Sequence, residues 1–135
     1  MSDQAFSLFA YGSLQLTEVF EAVTLESREG VPAILGGFQR TKLRGFSFPA
    51  LLPVPGAQTM GILYRSLGLD AWQRLDAFED DFYERREVTV RLLDGALCQV
   101  FTYVLSDQYR HLSLDQDWSL DDLDSETIRD LLARL

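Results

Sequence analysis

Phe6-Ser7-Leu8-Phe9-Ala10-Tyr11-Gly12-Ser13-Leu14 is the stretch whose reading decides the fold. The run from Phe6 to Tyr11 is of strand type and stops abruptly at Gly12-Ser13. A short, nearly continuous apolar run bounded by a turn signal predicts a buried first strand. Glycine at its end lets the backbone turn and lets a ligand come close to the main chain. Gly-Ser after a strand is also ordinary turn chemistry. It becomes a binding element when consecutive N–H groups point into a concavity and hold an anion.

Working outward, Thr17–Thr24 predicts a short helix with Thr17 as its N-cap. Val31–Leu35 and Phe38–Leu43 are two apolar-rich stretches, with Gly36-Gly37 a turn or bulge between them. Phe48–Gly56 carries three prolines, which make it extended and confine it to an edge or a loop. Gln58–Arg65 alternates as a strand. Leu69–Glu79 has helical spacing, with Leu69, Trp72 and Leu75 on one face, joined by Phe78 or Ala71, and Asp70 as a cap. Arg85–Leu92 and Cys98–Leu105 flank Asp94-Gly95, a strong hairpin signal. Glu126–Leu135 predicts a C-terminal helix capped by Ser125, and the acidic Ser106–Asp124 has no clear pattern. Strands dominate the middle without βαβ alternation. The expected class is α+β, a curved, mainly antiparallel sheet or small barrel in a single domain over 1–135.

The 135 residues are 47% hydrophobic and 12% aromatic, enough for a core, and 24% charged, which excludes wholesale disorder. Net charge is -9, a surface that repels phosphate backbones, so no nucleic-acid partner is expected. Residues 107–135 hold eight Asp/Glu against three Arg, more than half of that net charge. Residues 106–135 are therefore expected to form an acidic C-terminal helical extension. One cysteine, Cys98, excludes an intrachain disulfide and fits a reducing compartment. No apolar run approaches a membrane span, and Met1–Gln4 lacks a basic leader region. A soluble cytoplasmic protein is expected, as monomer or homodimer.

Chemistry can be narrowed by subtraction. A zinc site needs about four suitably spaced ligands, and one Cys with one His does not supply them. A nucleophile–histidine site requires His111, which lies in a polar segment. Cys98, at an alternating strand position, reads as an inert thiol. No GxGxxG or Walker pattern occurs. Acid–base chemistry by a carboxylate remains, with Glu79 as the candidate. It ends an apolar helix beside Phe78, where burial would raise its pKa toward working pH. The plainer alternative is a helix-end acid that is solvated or paired with Arg85 or Arg86. Asp76 is read as bonding a local backbone group or an arginine. The charged run Asp80, Asp81, Glu84, Glu87 is read as a solvated face.

Taken together, these segments resemble the gamma-glutamylcyclotransferase-like superfamily, in particular its AIG2-like branch. The resemblance rests on Phe9–Leu14, on Leu75-Asp76-Ala77-Phe78-Glu79, on Phe48-Pro49-Ala50-Leu51 followed by Gly61-Ile62-Leu63-Tyr64, on Tyr83–Val88, and on Val100–Val104. Some branches carry an asparagine between the serine and leucine of the first motif. Here Leu14 follows Ser13 directly, which favours the AIG2-like branch over enzymes of glutathione-derived dipeptides.

The resemblance implies a small mixed β-barrel with flanking helices and a cavity where the Tyr-Gly-Ser-Leu loop faces the glutamate. It implies a small-molecule γ-glutamyl amine or γ-glutamyl amino acid as substrate, 5-oxoproline and a free amine as products, and no cofactor or metal. Glu79 would be the general acid/base, and the N–H groups of Gly12, Ser13 and Leu14 would hold a carboxylate or oxyanion. Tyr11 would line the pocket. Tyr103 is either a site hydroxyl or a core tyrosine. The competing readings are a non-catalytic module binding a glutamyl-like ligand in the same cavity, and an interaction protein whose acidic C-terminus docks a basic partner.

Overall fold

The computed structural model describes residues 6–135; the reading of Met1–Gln4 lies outside the described residues. Five strands, β1 (Phe6–Ala10), β2 (Val31–Thr41), β3 (Ala50–Leu67), β4 (Tyr83–Leu92) and β5 (Leu97–Leu105), close into a barrel in the order β1-β3-β2-β4-β5. Every pairing is antiparallel except the seam, where β1 and β5 run parallel with Leu8 opposite Phe101. Three helices flank it: α1 (Thr17–Thr24), α2 (Leu69–Glu79) and α3 (Ser125–Ala133). The fold is the α+β mixed barrel expected from the sequence.

Leu8-Phe9-Ala10 of β1 is uninterrupted apolar sequence because both faces of the strand are buried there. Successive side chains alternate across a strand. Phe9 and Tyr11 point into the barrel with Leu35, Leu51, Leu63, Val90 and Val104. Leu8 and Ala10 point outward, into a second core made with α1 and α2. α1 contributes Val19, Phe20 and Val23 to that layer, and Phe20 stacks on Tyr64 at 3.8 Å between ring centroids. α2 contributes Ala71, Trp72 and Leu75.

Several local expectations shift. Leu69 is 74% exposed, so the apolar face of α2 begins at Ala71. The N-cap of α2 is Gly68, whose N–H donates to Glu26 Oε2 at 3.1 Å; Asp70 sits inside the first turn. Leu16, not Thr17, precedes α1, and Asp124, not Ser125, caps α3 by accepting from Thr127 N at 2.7 Å. Val31–Thr41 is one strand with a bulge at Gly36–Phe38, where Gly37 has φ +84°. The proline-rich stretch from Ala50 onward belongs to the long strand β3. Pro53 pairs with Phe38, while β1 joins β3 only from Ile62 onward, so the prolines lie on an edge-like half that needs one neighbour.

The segment between β5 and α3 is built from 3-10 turns at Asp107–Leu112 and Leu120–Asp122. It is tied to the barrel by Trp118, 2% exposed, whose Nε1–H donates to Ser47 O at 2.8 Å. Among the described residues no helix is long and apolar enough to cross a membrane, which says nothing of spanning by strands.

Candidate functional site

The C-terminal end of β1 opens into a cavity of roughly 700 Å³, within the range of small-molecule sites. Tyr11, Gly12, Ser13, Leu14, Glu79 and Tyr103, all the residues singled out from the sequence, line this one space. They arrive from three places: the end of β1, the last turn of α2, and the outward face of β5.

The loop after β1 is held by its carbonyls. Tyr64 donates to Leu14 O at 2.8 Å, Gln15 Nε2 to Tyr11 O at 2.9 Å, and Arg40 Nη1 to Tyr11 O at 3.2 Å. The next amide, Gln15 N–H, closes a tight turn onto Gly12 O at 3.0 Å. Among the described residues no acceptor takes the N–H of Gly12, Ser13 or Leu14. Gly12, Ser13 and Leu14 line the cavity, and main-chain donors without a protein acceptor are available to an anionic ligand. A Cβ at Gly12 would come within 3.2 Å of the Pro49 ring, a tight contact that this ring would have to yield to by a few tenths of an ångström.

Glu79 ends α2. Its carboxylate makes no hydrogen bond or ion pair among the described residues: Arg85 pairs with Asp76 at 3.5 Å, and Arg86 with Glu84 at 3.0 Å. No buried side-chain oxygen lacks a partner, so the unpartnered Glu79 carboxylate keeps its open surface toward the cavity. Dense packing around it, and then the neighbouring Asp76 carboxylate, raise its pKa from 4.5 to about 8. The chain then breaks sharply at Asp80, with φ 55° and ψ -153°, an uncommon conformation for a residue with a side chain. Strain of this kind costs about 1–3 kcal/mol and persists where the surroundings enforce it. Asp80 N–H still donates to Asp76 O, which holds the last turn of the helix.

Three tyrosines surround Glu79, and each hydroxyl is committed. Tyr11 donates to Tyr103 O at 2.6 Å, Tyr83 to Pro49 O at 2.6 Å, and Tyr103 to Asp76 Oδ1 at 2.6 Å. Burial first, and then nearby carboxylates or phenols, push all three phenols up, so they remain neutral donors. Tyr103 is thus both packed in the outer core and joined by its hydroxyl to Asp76. Asp76 does bond an arginine, Arg85, which also lies 5.1 Å from the centroid of Trp72.

Sequence reasoning left Tyr83 without a role, although it stands in one of the matching motifs. It also passed over Phe46, Phe48 and Phe82, whose rings form one more wall of the cavity, and the lining residues Leu123 and Leu131. Only their meeting in space marks them. His111 is exposed and Cys98 half-buried; neither lines the cavity. Asp80, Asp81, Glu84 and Glu87 are exposed, as a solvated face requires. Among the described residues no group of three or more His, Cys, Asp or Glu is arranged to hold a metal.

Comparison with known proteins agrees with this fold. AIG2-like protein C of Arabidopsis thaliana is 39% identical over 101 residues, 74% of this chain and 59% of the relative. AIG2-like protein A of the same organism is 33% identical over 64% of this chain and 53% of its own length. The chain therefore spans somewhat over half the length of these curated relatives. A solution structure of an Arabidopsis thaliana protein superposes with a TM-score of 0.75 at 26% identity, covering 99% of this chain and 90% of that one. A structure described as a gamma-glutamyl cyclotransferase shares the fold, with a TM-score of 0.70 at 18% identity over 96% of this chain and 99% of that one. The family described as "Gamma-glutamyl cyclotransferase, AIG2-like" matches residues 8–120, and the chain belongs to it.

Proposed function

We propose that this protein is a γ-glutamyl cyclotransferase that converts a γ-glutamyl amide to 5-oxoproline and a free amine. The observation that carries this reading is Glu79, an unpaired carboxylate with its pKa raised to about 8, lining the same cavity as Gly12, Ser13 and Leu14, whose main-chain N–H groups have no acceptor among the described residues.

In this reaction the nucleophile belongs to the substrate. The α-ammonium gives a proton to Glu79, and the resulting amine attacks the γ-carbonyl carbon of the same glutamyl group. The carbonyl oxygen becomes an oxyanion, then re-forms the carbonyl as the bond to the leaving nitrogen breaks. The ring nitrogen sheds its second proton as the tetrahedral intermediate collapses, and the leaving nitrogen takes up both protons through Glu79 and departs as an ammonium, so the enzyme returns to its starting state and no water is consumed. A pKa near working pH suits a group that must both accept and donate. Ring closure is intramolecular, so holding the substrate folded removes much of the barrier. The N–H groups of Gly12, Ser13 and Leu14 serve as donors to the α-carboxylate or the oxyanion. Tyr11 walls the cavity. Tyr103 acts through Asp76, which it holds beside Glu79.

The test is 5-oxoproline release from a panel of γ-glutamyl compounds: γ-glutamyl-alanine, γ-glutamyl-ε-lysine, glutathione and simple γ-glutamyl alkylamides. Release from at least one class, abolished in Glu79→Gln with the fold intact, is expected. Turnover near wild type in that variant removes the proton-shuttle role. Silence across the panel, with the compounds still bound in the cavity, makes the site a binding module.

A further inference from the structure

The cavity is larger than a glutamyl group needs, and its lining is chemically mixed. Glu79 and the loop from Gly12 to Leu14 supply the polar part. The apolar part is Phe46, Phe48 and Phe82, with ring centroids 4.8, 5.3 and 5.8 Å apart, and Leu131 and Leu135 of the C-terminal segment. The loop that carries Phe46 and Phe48 is fixed at two points, Ser47 O by Trp118 and Pro49 O by Tyr83. Such a wall is preformed. Phe46 is 46% exposed, so part of its ring is open to a ligand entering the cavity.

The charges lining the cavity point the same way. Acids outnumber bases in its lining, Glu79, Asp80 and Asp130 against the single cation Arg134, one helical turn from Asp130. A leaving group bearing its own carboxylate, as an amino acid or dipeptide does, meets acids and aromatic rings there against a single arginine. Resting on the cyclotransferase reading, we infer that the leaving group is an amine with an uncharged apolar or aromatic body, seated on Phe46, Phe48 and Phe82. The γ-glutamyl C–N bond breaks, the nitrogen takes up its two protons through Glu79, and the amine departs as an ammonium past the aromatic wall.

The experiment compares kcat/KM for 5-oxoproline release from γ-glutamyl-phenethylamide, γ-glutamyl-methylamide and γ-glutamyl-alanine, in wild type, Phe46→Ala and Phe82→Leu. Wild type is expected to favour the phenethylamide over γ-glutamyl-alanine by about tenfold or more, the scale set by seating an apolar body in a matching pocket. The ratio of phenethylamide to methylamide is expected to fall roughly tenfold in Phe46→Ala. Because Phe46 is half exposed, its removal does not open the core, and Phe82→Leu checks the same wall from a second segment. Equal or better turnover of γ-glutamyl-alanine, or an unchanged ratio in both variants, overturns the inference while leaving the cyclotransferase reading standing. No 5-oxoproline from any of the three, with release from γ-glutamyl-ε-lysine or glutathione, overturns the inference alone; silence from every one of these compounds overturns both.

Discussion

Replacing Glu79 by Gln should stabilise the protein at alkaline pH. In the unfolded chain the carboxyl returns to its ordinary value near 4.5, whereas in the folded protein it titrates near 8. The folded form therefore binds the extra proton between those values, and stability falls as pH rises through them. Each pH unit of difference is worth about 1.4 kcal/mol, so the ceiling is about 5 kcal/mol above pH 8, of which about 4 kcal/mol falls between pH 5 and 9. The cavity gives the carboxylate some access to water, and about half of that figure is the expected yield. Urea unfolding of wild type and Glu79→Gln at about pH 5 and about pH 9 isolates this term, because every other titrating group is common to both proteins. Wild type should lose roughly 2 kcal/mol that the variant keeps. Parallel pH dependence in the two proteins would refute the claim that Glu79 is held neutral by its surroundings. An active site that destabilises its own fold is the expected trade between stability and function.

Asp76 is the second cause of the raised Glu79 pKa. Asp76→Asn keeps an oxygen for Tyr103 and removes the charge, so the acidic limb of the kcat/KM profile for 5-oxoproline release should move to lower pH; an unmoved limb excludes the coupling. At Gly61 a Cβ would collide with the Ala10 carbonyl oxygen and lie 2.7 Å from Phe9 Cζ, inside the β1–β3 pairing. Gly61→Ala should cost about 2–3 kcal/mol, read as a lowered Tm, and a Tm within a degree or so of wild type would show that the strands can part cheaply. Trp118→Phe removes the hydrogen bond to Ser47 O and leaves that carbonyl unpaired. A loss of about 1–3 kcal/mol in denaturant unfolding is expected, and no change would mean the loop is held without it.

Much of the fold was legible because local pattern and burial agree. β1 was readable since both of its faces are apolar, and the β4–β5 hairpin since Asp94-Gly95 supplies the turn, with Gly95 at φ +92°. Helix starts were less readable: Glu26, 42 residues away in sequence, receives the Gly68 N–H, so no local cap was needed there. Prolines argued against a strand at residues 50–55, but pairing of that half with β2 made them harmless. Glu79 stood out because an unpaired acid after an aromatic residue on an apolar helix invites a question. Its surroundings did not. Asp76 and Tyr103 meet across 27 residues, and Phe46, Phe48 and Phe82 approach from two sides of β3 and α2. Contacts of that range leave no trace in periodicity.

The parallel seam between β1 and β5 has a kinetic consequence. It joins segments more than 90 residues apart through few contacts: the bridge from Leu8 to Phe101, Thr102 Oγ1 to Phe9 O at 2.8 Å, and Tyr11 to Tyr103 O at 2.6 Å. Closing so long a loop is entropically late, after hairpins such as β4–β5 have formed. The loop from Tyr11 to Leu14 and the Tyr103–Asp76 link lie at that seam, so the cavity is completed by the last event of folding. Recovery of ligand binding on refolding should track the slowest phase; binding regained with the fastest phase would show that the site assembles before the barrel shuts.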